Sequence, residues 1–82
     1  MDLVELTENI IKSLVLDTDA VSVKEFPTDE ENVILIQVMV TDEDMGRVIG
    51  RNGRTANAIR TLVQASSSLN DNKYVKIDID KF

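Results

Sequence analysis

Leu3, Leu6, Ile10 and Leu14 recur three or four residues apart, and Val4 and Ile11 widen the stripe. That period puts them on one side of an α-helix. Asp2-Leu3-Val4-Glu5 forms a capping box ahead of it, with Asp2 as N-cap and Glu5 three positions on. The pattern predicts a helix to about Leu16, ended by the turn residues Asp17-Thr18-Asp19. Residues 20–26 are rich in β-formers, Val21 and Val23 among them, and predict a strand. Residues 27–32 are too charged to be buried and predict a loop joining an antiparallel hairpin. Val33-Ile34-Leu35-Ile36-Gln37-Val38-Met39-Val40 is almost continuously apolar and dense in β-branched residues, as in a central strand.

A second capping box, Thr41-Asp42-Glu43-Asp44, opens a short helix that stops at Gly50. From Gly53 a longer helix runs to about Leu69. Ala58, Ile59, Leu62, Ala65 and Leu69 are its expected apolar face. Ser66-Ser67-Ser68 weakens its last turn, and Asn70-Asp71-Asn72 ends it. Val75, Ile77 and Ile79 then alternate with Tyr74, Lys76, Asp78 and Asp80, which predicts a strand with one buried and one wet face. The order is α-β-β-α-α-β. The two middle helices form a crossover between strands, so those strands should be parallel. The expectation is one α+β domain over residues 1–82, a three-stranded mixed sheet covered on one face by three helices.

Composition narrows the chemistry. The chain has 82 residues, no Cys and no His, which removes disulfides, zinc fingers and imidazole catalysis. No apolar run approaches the ~20 residues of a membrane span, and the acidic N-terminus lacks a basic signal-peptide region. A cytoplasmic location is expected. The net charge of −6 is unevenly placed. Residues 1–45 carry twelve acids and two lysines, whereas residues 46–70 carry Arg47, Arg51, Arg54 and Arg60 and no acid. All four arginines surround one glycine turn, so a local positive field sits on an acidic body.

That turn is Val48-Ile49-Gly50-Arg51-Asn52-Gly53-Arg54. Glycine lets another backbone approach closely, and the N-terminus of the following helix suits an anion such as phosphate. The G-x-x-G turn between two helices resembles that of a KH domain, which clamps about four nucleotides of single-stranded RNA there. With extra elements preceding the core, the whole order is similar to the bacterial type II KH fold. The opening Asp-Leu-Val-Glu and the run Met45-Gly46-Arg47-Val48-Ile49-Gly50-Arg51-Asn52-Gly53-Arg54-Thr55-Ala56-Asn57-Ala58-Ile59-Arg60 resemble the KhpA (YlqC-like) family of bacterial KH-domain RNA-binding proteins. The resemblance covers the whole chain. It implies cytoplasmic RNA binding as an RNA chaperone or post-transcriptional regulator. It also implies a homodimer, a heterodimer with a KhpB (Jag, EloR)-type KH protein, or both, acting in cell elongation, cell shape and cell wall biogenesis.

The candidate RNA-binding residues are Arg47, Ile49, Gly50, Arg51, Asn52, Gly53 and Arg54. The glycines admit the RNA backbone, Arg51 and Arg54 pair with phosphates, and Asn52 donates to phosphate or base. Arg47, one turn earlier, is a further candidate contact. Val48 and Ile49 are adjacent and cannot face the same way, so one lines the groove floor and the other enters the core. Gly46 is expected to mark a close backbone approach or packing against the sheet, and Arg60 to be solvated. The Asp42-Glu43-Asp44 cluster departs from the pattern, because acids near the groove oppose an anionic ligand. Stacking aromatics of the RRM or OB kind are missing. No nucleotide-binding glycine motif is present, so neither catalysis nor a cofactor is expected. The competing reading is a dimerisation or adaptor module with a structural glycine turn.

Overall fold

The computed structural model describes residues 2–82. Helix α1 spans Leu3–Lys12, and the Asp2 carboxylate accepts from the Glu5 backbone N–H at 2.7 Å, as the capping box requires. Leu3, Thr7 and Ile11 are buried. The buried Thr7 hydroxyl is satisfied by donating to the Leu3 carbonyl at 2.7 Å. The helix ends at Lys12, four residues short of the expected Leu16. The Ser13 hydroxyl turns back onto the Ile10 carbonyl at 2.6 Å. The Leu16 and Asp17 amides donate to the side chain of Asp44 at 3.1 Å each, so they are lost to the helix ladder. A 3₁₀ turn over Thr18–Ala20 follows, and the first strand starts at Ser22 rather than at residue 20.

The sheet has the order β1-β2-β3, with β1 at Ser22–Phe26, β2 at Val33–Val40 and β3 at Tyr74–Lys81. β1 runs antiparallel to β2, with Val23 opposite Val38. β3 runs parallel to β2, with Val75 opposite Ile34 and Ile77 opposite Ile36. These pairs lie on the helix-covered face, and Ile36 and Val38 are fully buried. Val33, Leu35, Gln37 and Met39 point the other way and are half-buried between the flanking strands. This is the predicted three-stranded mixed sheet. It explains why the middle strand is apolar on both faces while β3 alternates.

Helix α2 is Met45–Ile49 and helix α3 is Arg54–Asn70. The apolar face expected for α3 is not the buried one. Ala56, Ile59, Val63 and Ser67 enter the core, and Ile59 alone belongs to the expected set. Leu62 and Leu69 are 58% and 86% exposed, and Ala58 and Ala65 are exposed with them. Both sets recur at helical spacing, so periodicity admits either. The buried set has smaller residues at its ends, Ala56 and Ser67, which let the helix lie close to its neighbours. Ser67 is buried without loss because its hydroxyl donates to the Lys73 carbonyl at 2.7 Å.

Candidate nucleic-acid interface

α2 and α3 meet at the glycine turn through a short 3₁₀ segment, Arg51–Gly53. Val48 is fully buried and is the one of the pair that enters the core; Ile49 is half-buried beside the turn. The Gly50 amide closes α2 by donating to the Gly46 carbonyl at 2.9 Å. Gly50 then adopts φ 75°, ψ 175°, a region open in practice to glycine alone. A Cβ there would lie 2.7 Å from the Thr55 Cβ and 2.8 Å from its backbone nitrogen. Asn52 is left-handed at φ 56°, ψ 27°, and Gly53 at φ 76°, ψ 11°, where a Cβ would meet open space. A Cβ on Gly46 also meets nothing within 4 Å, so the close approach expected at that residue is not found.

This backbone sets the exposed corner. Arg51, Asn52 and Arg54 project into solvent, and no side chain caps the N-terminus of α3. Among the described residues, neither Arg51 nor Arg54 is in an ion pair. Arg47 is more constrained. One of its terminal nitrogens donates to the Glu43 carbonyl and to Asp44 Oδ1, both at 3.3 Å. Arg60 is exposed but not merely solvated. Its Nε donates to the Ile77 carbonyl of β3 at 3.3 Å, and a terminal nitrogen reaches Asn57 Oδ1 at 3.4 Å.

The acidic cluster beside the turn is partly neutralised by the fold. Asp44 is only 2% exposed. Besides the Leu16 and Asp17 amides, its carboxylate accepts from the Thr41 hydroxyl at 3.2 Å and pairs with Arg47. The two backbone amides are the main cause holding its pKa below the usual carboxylate value; Thr41 and Arg47 add to the effect, and burial opposes it. A carboxyl depressed in the folded state contributes stability above its unfolded pKa, and that contribution is lost as pH falls through the folded value. Asp42 pairs with Lys81 Nζ at 3.1 Å. Of the three acids, Glu43 alone lacks a cationic partner among the described residues. The role of Asp44 was invisible in the sequence, where Thr41-x-x-Asp44 reads as a capping box; the Thr41 hydroxyl does accept from the Asp44 amide, at 3.2 Å.

An α-β-β-α-α-β fold with a positive-φ G-x-x-G turn between its second and third helices defines a KH domain of type II. The KhpA/KhpB KH-domain family model matches residues 4–79, and the chain belongs to that family of non-enzymatic RNA-binding KH proteins. The chain is 47% identical over 75 residues to the RNA-binding protein KhpA of Caldanaerobacter subterraneus subsp. tengcongensis, covering 92% of this chain and 96% of that one. The RNA-binding protein KhpA of Clostridium acetobutylicum matches with the same identity and coverage. The RNA-binding protein KhpA of Listeria monocytogenes is 43% identical over 75 residues, covering 92% of this chain and 95% of the relative. Among solved structures, a point variant of Aquifex aeolicus Era bound to GDP·AlF4⁻ superposes with a TM-score of 0.69 at 18% identity. That likeness covers 98% of this chain and 30% of Era, and it speaks for the fold.

Proposed function

We propose that the protein clamps single-stranded RNA at the Gly50–Gly53 turn, acting as an RNA chaperone or post-transcriptional regulator in the cytoplasm. The observation that carries this reading is the turn itself. Gly50 has a conformation and a clearance that exclude any side chain, at a corner where Arg51 and Arg54 stand without acidic partners among the described residues. The RNA backbone lies against Gly50 and Gly53, the arginines pair with phosphates, and Asn52 donates to phosphate or base. Ile49 borders the groove floor, and the part of Arg47 left free by Asp44 reaches the same strand. Binding is expected to be modest, salt-sensitive and selective for single strands. Four arginines bound the phosphate contacts, so the slope of log K against log salt should be no steeper than about −3 per domain. Titration of matched single- and double-stranded RNAs at several salt concentrations checks this. A duplex preference, or binding indifferent to salt, sinks the clamp.

The second part of the proposal is association, as a homodimer or with a KhpB-type KH protein, in control of cell elongation and cell shape. Its support is the exposed α3 stripe of Ala58, Leu62, Ala65 and Leu69, an apolar helix face that the domain does not cover. The same stripe favours the adaptor reading as the second possibility. Leu62→Glu should turn a dimer into a monomer in analytical ultracentrifugation while leaving the Tm nearly unchanged, because Leu62 packs outside the core. A parent protein that stays monomeric at high concentration and captures no KH partner from cells counts against association.

A further inference from the structure

Three segments of the chain meet at the Asp44 carboxylate. The exit of α1 brings the Leu16 and Asp17 amides, the end of β2 brings the Thr41 hydroxyl, and α2 brings Arg47. The Arg47 side of this node is asymmetric. Its contacts to Asp44 Oδ1 and to the Glu43 carbonyl both use the same terminal nitrogen, Nη1, at 3.3 Å each. Nη1 has two protons and two acceptors, so it is fully used. Nε and Nη2 have no protein partner among the described residues, and the side chain is 45% exposed. These two nitrogens form one edge of the guanidinium, a fork that matches two oxygens of a phosphate. We infer that Asp44 is a positioning residue for RNA binding, holding Arg47 by Nη1 so that its Nε–Nη2 fork grips one phosphate bidentately. The inference rests on the clamp proposed above and deepens it.

Asp44 suits that role because it does not depend on Arg47 for its own place. It is buried, and the two amides and the Thr41 hydroxyl would still hold its carboxylate if Arg47 left. The anchor is therefore rigid, and the arginine is the part that can be aimed. Arg47 stands one turn before Gly50 on α2, roughly 5 Å along the helix axis. The bond from the Gly50 amide to the Gly46 carbonyl keeps that turn helical, so the fork belongs to the same corner as Arg51 and Arg54. Those two arginines differ from it. Neither is in an ion pair among the described residues, so each must be immobilised when RNA arrives. Arg47 is already held at one end in the folded protein. Asp44 also offsets its charge, so Arg47 adds direction more than net attraction.

Charge and geometry predict opposite signs for Asp44→Asn. Removing a carboxylate beside an anionic ligand tightens binding on charge alone, whereas losing the positioning contact weakens it. The experiment titrates labelled single-stranded oligouridine into each variant, with thermal unfolding on the same preparations to set a temperature at which all are folded. Asp44→Asn should weaken binding about fivefold or more. Arg47→Lys keeps the charge and loses the fork, and should weaken binding about tenfold, the worth of one charge-assisted hydrogen bond. In the Asp44→Asn background the same change should cost about twofold or less, because the two residues act as one unit. Arg51→Lys, which has no link to Asp44, should cost the same factor in both backgrounds. Tighter binding by Asp44→Asn, or an Arg47→Lys effect undiminished in that background, overturns the inference. Should Asp44→Asn not fold, Arg47→Lys and Arg47→Gln decide in the otherwise native chain. Similar losses in the two support the fork, and parental affinity in Arg47→Lys overturns it. The clamp is judged separately, by Arg51→Asp combined with Asn52→Asp. If that pair abolishes binding while Arg47→Lys matches the parent, the positioning role alone falls. If the pair binds RNA as the parent does, the clamp and the inference fall together.

Discussion

Arg51→Asp combined with Asn52→Asp is expected to abolish RNA binding in a protein that remains folded. Both side chains project from an exposed corner, outside the core. Surface changes of this kind usually alter stability by about 0.5 kcal/mol or less. The left-handed backbone at position 52 is also safe, because Asp tolerates that region much as Asn does. The effect on RNA is large for two reasons. A charge-assisted hydrogen bond to phosphate is worth about 1.5–3 kcal/mol, and the pair of substitutions removes an arginine and an amide donor. Two carboxylates then stand where phosphates should sit, in a chain that is already acidic. A loss of affinity of about a hundredfold or more follows from these terms. Thermal unfolding and an RNA titration on the same preparation give the answer. Parental affinity in the folded double variant would place the RNA elsewhere on the domain.

The two glycines of the turn should respond unequally to the same substitution. Gly50→Ala puts a methyl group into Thr55 at a backbone conformation that costs about 1–3 kcal/mol for a residue with a Cβ. Relief of the contact requires the first turn of α3 to move, so the variant should lose RNA affinity together with stability. At about 4–8 °C per kcal/mol for a domain of this size, the Tm should fall by about 10 °C or more. Gly53→Ala meets open space and carries only the cost of a left-handed residue, about 1 kcal/mol. Its Tm should fall by about half as much or less. Equal losses in the two variants would mean that the turn relaxes freely and that Thr55 does not fix it.

Most of the fold was legible in the chain. The capping box at Asp2, the limits of Val33–Val40, the alternation of β3 and the polar end of α3 all appear where the sequence placed them. Each of these signals is local, acting within a turn of helix or between alternate strand positions. The glycine turn was legible for the same reason, since few other residues fit its backbone. Other features were not. The sequence left open which of Val48 and Ile49 enters the core, placed the end of α1 four residues late, began β1 two residues early, expected a close approach at Gly46 and a merely solvated Arg60, gave no sign of the role of Asp44, and assigned α3 the wrong buried face.

By itself, then, the sequence determined the element order, the sheet topology that follows from the crossover, and the position of the glycine turn with its arginines. Tertiary structure decided the rest. Asp44 draws the Leu16 and Asp17 amides out of α1 from 28 and 27 positions away along the chain, and no local rule reaches that far. Helical spacing permits two stripes on α3. The choice between them is made by packing against the sheet and α1, where the smaller Ala56, Val63 and Ser67 fit and Leu62 and Leu69 are left outside. Periodicity fixes which residues share a face of a helix, and only the surface they meet fixes which face is turned inward.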